Sequence, residues 1–142
     1  MRQIENILGD INTFEPTNGN WLILDDLLNE LWAAGQPELG IVTMLKVLER
    51  FPKEDGAGVL WSIVHGLEHI GGYEQQLLDS LYRQPSHLSV TMVYRIENSG
   101  QTKIQGKEIT TIYNELLEIS NMPNSVREEI NDYCRRRAGG SK

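Results

Sequence analysis

His65-Gly66-Leu67-Glu68-His69 is the stretch of this chain with the clearest potential for chemistry. Two imidazoles four residues apart on a helix share one side and can hold one metal ion. A glutamate between them can activate a bound water, the arrangement of an inverted zincin signature. A catalytic zinc also needs a third protein ligand and an open position. Glu74 and Glu97 are the options here, and neither sits in a supporting motif. Gly66 inside the pattern and Gly71-Gly72 after it weaken the helix that must carry the ligands. Spacing alone therefore keeps a zinc hydrolase using His65, Glu68 and His69 only as a remote alternative. The competing reading places His65 near a helix–helix packing surface, with Glu68 and His69 reaching solvent or a partner.

Other chemical signatures are weaker. Gly56-Ala57-Gly58 follows no strand and lacks the lysine-serine pair of a phosphate loop, and Glu54 and Asp55 repel phosphate. Asp55 reads as a helix cap or first-turn acid, and the glycines permit close approach of a neighbouring helix. A nucleophile elbow or catalytic triad is not discernible. Cys134 is the one cysteine, so no intrachain disulfide forms and a reducing, cytoplasmic setting is expected. Arg135-Arg136-Arg137 beside it are placed to lower the thiol pKa. With no partner motif, Cys134 reads as incidental. The arginines read as a solvated helix end favoured by the helix dipole rather than a nucleic-acid patch.

The elements positioning these residues read almost entirely as helices. Leu24, Leu27, Leu28 and Leu31 recur at helical spacing after Asn20, a capping residue. Leu39, Val42, Leu45 and Leu48 form a second stripe after Pro37. A helix from about Gly56 to Ile70 carries the metal-like motif and ends at Gly71-Gly72. Tyr73 to about Tyr82, then Leu88, Met92, Val93 and Ile96 after the cap Ser86, give two more. Asn98-Ser99-Gly100 starts a polar loop reaching Gly106. Ile109, Ile112, Leu116 and Ile119, then Val126, Ile130 and Tyr133, give the last pair. Leu45-x-x-Leu48-x-Arg50-x-Pro52 recurs 33 residues on as Leu78-x-x-Leu81-x-Arg83-x-Pro85, and more loosely as Leu116-x-x-Ile119-x-Asn121-x-Pro123. Periods of this size mark α-solenoids built from helix pairs. The expected fold is all-α, about seven to eight helices, either antiparallel pairs stacked as a short HEAT-like solenoid or an irregular bundle. One domain over residues 1–137 and a flexible tail over 138–142 complete the expectation.

The net charge of −7 is uneven: residues 1–34 set Glu5, Asp10, Glu15, Asp25, Asp26 and Glu30 against Arg2 alone. An acidic surface repels nucleic acid and suits a basic protein partner. No apolar run approaches the roughly 20 residues of a membrane span, so no membrane association is expected. Nor is any cofactor.

The residues from Phe51-Pro52-Lys53-Glu54-Asp55-Gly56-Ala57-Gly58-Val59-Leu60-Trp61-Ser62-Ile63-Val64-His65-Gly66-Leu67-Glu68, with Gly72-Tyr73-Glu74, Arg83-Gln84-Pro85-Ser86 and Arg95-Ile96-Glu97-Asn98-Ser99-Gly100, resemble small bacterial immunity proteins. Such proteins are encoded beside polymorphic toxins, including those of contact-dependent growth inhibition. The resemblance covers about residues 44–100. It implies a cytosolic helical protein without catalytic residues that neutralises a cognate secreted toxin domain by stoichiometric occlusion. Many such toxins are basic nucleases, which suits the acidic N-terminal part. The family prescribes no contact residues. On charge, the expected contacts are Asp25, Asp26 and Glu30, with Glu54, Asp55, Glu68 and His69 as a second patch. A generic helical-repeat adaptor for another protein is the alternative.

Overall fold

The computed structural model describes residues 2–140, with side chains as far as Arg137. Among the described residues the elements are α1 (Ile4–Thr13), α2 (Leu22–Ala33), α3 (Ile41–Arg50), α4 (Leu60–Ile70), α5 (Glu74–Arg83), α6 (His87–Asn98), β1 (Lys103–Ile104), β2 (Lys107–Glu108), α7 (Ile109–Leu116) and α8 (Asn124–Gly140). The fold is all-α apart from one small hairpin. Of the tail expected over 138–142, the backbone of Ala138–Gly140 continues α8, and Ser141 and Lys142 lie outside the described residues. No described helix is long and apolar enough to cross a membrane.

Helices that follow one another touch in pairs, α1 with α2, α3 with α4, α5 with α6 and α7 with α8. Helices two apart also touch: α1 with α3 and α3 with α5, then α2 with α4, α4 with α6 and α6 with α8. The odd helices therefore stack as a first layer and the even helices as a second. This is the contact pattern of stacked helix pairs. The expected stripes supply the core. Leu24, Leu27, Leu28 and Leu31 of α2, Leu88, Met92, Val93 and Ile96 of α6, and Val126, Ile130 and Tyr133 of α8 are all buried. Side chains three and four apart share a helix face, so each stripe fills the space between the layers.

The sequence repeat marks the C-terminal corners of the first-layer helices α3, α5 and α7. In each copy the polar residue after the leucines reaches back one helix pair. Arg50 donates from Nη2 to the carbonyls of Ile11 and Phe14, both at 3.0 Å, at the end of α1. Arg83 forks onto the Glu49 carboxylate at the end of α3, at 3.1 and 2.8 Å. Asn121 donates to the Arg83 carbonyl and to Gln84 Oε1, each at 3.0 Å, at the end of α5. Carbonyls in the last turn of a helix have no partner within it, and Arg50 and Asn121 meet that need, whereas Arg83 joins its corner through a side-chain ion pair.

Four local readings differ from the sequence expectation. The helix bearing the metal-like motif starts at Leu60, because Gly56, Ala57 and Gly58 all adopt positive φ (60°, 53° and 92°), which no α-helix tolerates. Gly56 is buried, and a Cβ there would meet Trp21 ring atoms at 3.0 Å, so the turn follows from close packing on Trp21. Asp55 accepts from the Ala57 N–H at 3.1 Å and caps this turn. Leu39 and Val42 are exposed, at 54% and 44%, because a 3-10 turn over Pro37–Gly40 rotates the register before α3. Ile41, Met44 and Val47 join Leu45 and Leu48 inside instead. The expected polar loop up to Gly106 contains the hairpin, with Lys103 facing Glu108 and Ile104 facing Lys107. Gln105 and Gly106 supply its two positive-φ turn positions, and Ile104 is buried beneath it. Finally, Ile119 lies beyond α7, which ends at Leu116.

Replacing Arg50 by alanine leaves the Ile11 and Phe14 carbonyls at the end of α1 without their charged donor. The expected loss is about 1.5–3 kcal/mol of unfolding free energy. Urea unfolding of R50A against the unaltered chain measures it.

Candidate functional site

The second layer carries the side chains with interaction chemistry. On α4 the outward line is Trp61, His65 and His69, spaced four apart. His65 and His69 are exposed and Trp61 is half-buried. His65 therefore leaves the packing surface expected for it and stands beside Trp61, ring centroids 5.7 Å apart.

Across the α4–α6 seam, Arg95 lies over the Trp61 ring at 5.8 Å and forks onto the Glu68 carboxylate at 2.7 and 2.9 Å. The preceding residue, Tyr94, stacks on Tyr133 of α8, with centroids 4.0 Å apart and planes within 9°. Arg136 lies over the same Tyr94 ring, 5.9 Å from its centroid. Rings and cations thus form a two-part ladder over α4, α6 and α8, Trp61 with Arg95 across one seam and Tyr94 with Tyr133 and Arg136 across the next. Tryptophan, tyrosine and arginine carry disproportionate binding energy at protein interfaces.

At the α2 edge of the ladder an open groove of about 500 Å³ runs between α2 and α4. Trp32, Pro37, Ser62, His65, His69 and Ile70 line it, with Gly66 as its floor. A Cβ on Gly66 would sit 2.3 Å from Trp32 Cη2. Gly66 leaves the room that the Trp32 ring occupies against α4.

The expected contact residues scatter over this surface. Asp25 and Asp26 are on α2, half-buried and exposed respectively, and make no side-chain hydrogen bond or ion pair among the described residues. Glu30 is held by Arg2, whose guanidinium also reaches Asp10. That hydrogen bond keeps the Glu30 carboxyl below its ordinary pKa. Glu54 and Asp55 precede α4, whereas Glu68 and His69 lie in its last turns. An 11-residue helix, about 16 Å long, separates the two pairs, so they do not form one patch. Trp32, Trp61, Tyr94 and Arg95 were absent from the charge-based choice of contacts. Their signal was present in the four-residue spacing of Trp61, His65 and His69, but a single tryptophan on a helix also reads as core.

The metal-like motif loses its catalytic layout in this geometry. Glu68 is engaged by Arg95, and Glu97 is engaged by Arg137. Among the described residues no group of three or more histidine, cysteine, aspartate or glutamate side chains is placed to hold a metal ion. The expected effects around Cys134 also change. Burial pushes the thiol pKa up, outweighing Arg137. Arg137 is a tertiary contact rather than a solvated helix end: it pairs with Glu97, donates to Thr110 at 3.0 Å and covers the Tyr113 ring at 5.1 Å.

A separate polar clamp fastens α6 to α8. His87 Nδ1 meets Glu129 Oε1 at 2.7 Å, and the other Glu129 oxygen accepts from Thr91 and Tyr133. The Glu129 hydrogen bond raises the His87 pKa against the lowering effect of burial. Because α8 supplies Tyr133 to the ladder, this clamp sets the position of its far end.

Compared with known proteins, the chain matches no family model, no curated protein and no solved structure.

Substituting alanine at Gly66 forces Trp32 off α4. The helix-propensity gain of about 1 kcal/mol is outweighed by overpacking of about 1–3 kcal/mol. G66A is therefore expected to melt lower, with altered tryptophan emission. A melting temperature at or above that of the unaltered chain would contradict this packing role.

Proposed function

We propose that this chain is an immunity protein that binds and neutralises a secreted toxin domain through the outer face of its second helix layer. The observation that carries the reading is the ladder of Trp61, Arg95, Tyr94 and Arg136 beside an open groove, on the same layer as Asp25 and Asp26. Anchors of these types release the most energy when a partner excludes water from them. The sequence resemblance over residues 44–100 adds the class of partner. The acidic start of the chain adds its charge, a basic surface of the kind that grips nucleic acid.

The mechanism is occlusion in a one-to-one complex. Asp25 and Asp26 attract the basic toxin surface from a distance and raise the encounter rate. Trp61 and the groove between Trp32 and His69 then set the lifetime of the complex. No bond is made or broken. As the alternative, a generic helical-repeat adaptor for another protein, the chain would use the same groove, which is large enough for the side chains of a peptide.

Co-purification with the toxin domain encoded beside it separates these readings. With that complex in hand, charge reversal at Asp25 and Asp26 is expected to slow association and flatten its salt dependence without loss of stability. W61A is expected to speed dissociation by about thirtyfold, the equivalent of about 2 kcal/mol. Association kinetics of the unaltered chain that do not change across a salt series would overturn the electrostatic part. An unchanged off-rate in W61A would overturn the docking face.

A further inference from the structure

His65 and His69 make no side-chain hydrogen bond or ion pair among the described residues. They are two of only three histidines, both are exposed, and both line the same groove. The third, His87, is held by Glu129. Residues four apart on an α-helix have side chains about 5–6 Å apart at Cβ, a separation that two imidazoles can close onto one ion. Nothing within the described structure competes for either ring by hydrogen bond, whereas the glutamate between them in sequence is turned away onto Arg95.

We infer that His65 and His69 form a two-imidazole binding site for a divalent transition-metal ion. Water fills the remaining positions, which open into the groove. Imidazole donors select nickel, copper and zinc over magnesium and calcium, which prefer oxygen. Copper binds most tightly by the general order of divalent ions. The site also lies in the last turns of α4, where the unpaired carbonyls of the helix end favour a positive charge. The floor of the site is Gly66, so no side chain crowds the ion from the helix itself. The site has no catalytic assignment: Glu68 is committed elsewhere and no third protein donor is in place. It offers open positions that a histidine, cysteine or carboxylate of a bound partner can occupy. The inference does not depend on the partner's being a toxin.

The test uses the full chain without an affinity tag, freed of metal by chelator. Copper(II), nickel(II) and zinc(II) are each titrated by calorimetry, with magnesium as the control ion. Tryptophan emission is followed in parallel, because His65 stands 5.7 Å from the Trp61 ring and bound copper or nickel quenches a neighbouring indole. The expected result is one saturable equivalent of copper, nickel or zinc and none of magnesium, with quenching by copper and nickel. H65Q and H69Q each weaken binding by at least roughly tenfold, the scale on which even outer-shell changes act, and H87Q leaves it unchanged. Far-UV circular dichroism shows that the two exposed-site variants keep their fold. No saturable copper or nickel binding would overturn the inference. So would binding that survives the H65Q/H69Q double substitution.

Discussion

The stack depends on the reach of one first-layer corner to the corner before it. A short helix cannot satisfy the carbonyls of its last turn, and a chain that turns sharply there exposes them in a crowded place. Arg50 and Asn121 answer this with hydrogen bonds to carbonyls at the end of the preceding first-layer helix, and Arg83 ties the corner between them by its ion pair with Glu49. The leucines two and five residues before each arginine bury the same helices against the second layer. One short motif therefore sets both the spacing within a layer and the distance between layers. Pro52 and Pro85 follow the ends of α3 and α5 by two residues and keep those helices from continuing, while Pro123 stands immediately before α8.

With the first layer tied corner to corner, the second layer is left to differ from helix to helix. In α6 it is buried on nearly every side, since α3, α4, α5 and α8 all touch it. In α4 one line of residues escapes burial, and that line is Trp61, His65 and His69. Two glycines make this possible. Gly56 lets the chain pass over Trp21 before the helix begins, and Gly66 lets Trp32 lie against it. Without either, α4 would sit further from α2 and the groove between them would have a different width.

Much of this was legible from periodicity. The apolar stripes of α2, α6 and α8 predict their buried faces, because burial on a helix follows the 3.6-residue period. The corner repeat was readable as a pattern, but its meaning was not: the partners of Arg50 and Arg83 lie 39 and 34 residues away or nearly so, and spacing along the chain carries no information about them. The start of α4 was misplaced because three successive positive-φ residues look like a flexible helix entry until Trp21 is seen against Gly56. Leu39 and Val42 were assigned to the core because a 3-10 turn changes the period for one step. At the site, charge alone selected Glu30 and Glu68, which arginines already hold. The half-buried aromatics beside them read as core. A ladder built from three different helices becomes visible only when α4, α6 and α8 are side by side.

The central claim is that the second layer is the working face. Hydrogen–deuterium exchange of the chain, alone and bound to the toxin domain encoded beside it, tests that claim most directly. Slowed exchange is expected in α4 and in the first turns of α2, with the corners after α3, α5 and α7 unchanged. Protection confined to those first-layer corners, with α4 exchanging as in the free chain, would contradict it.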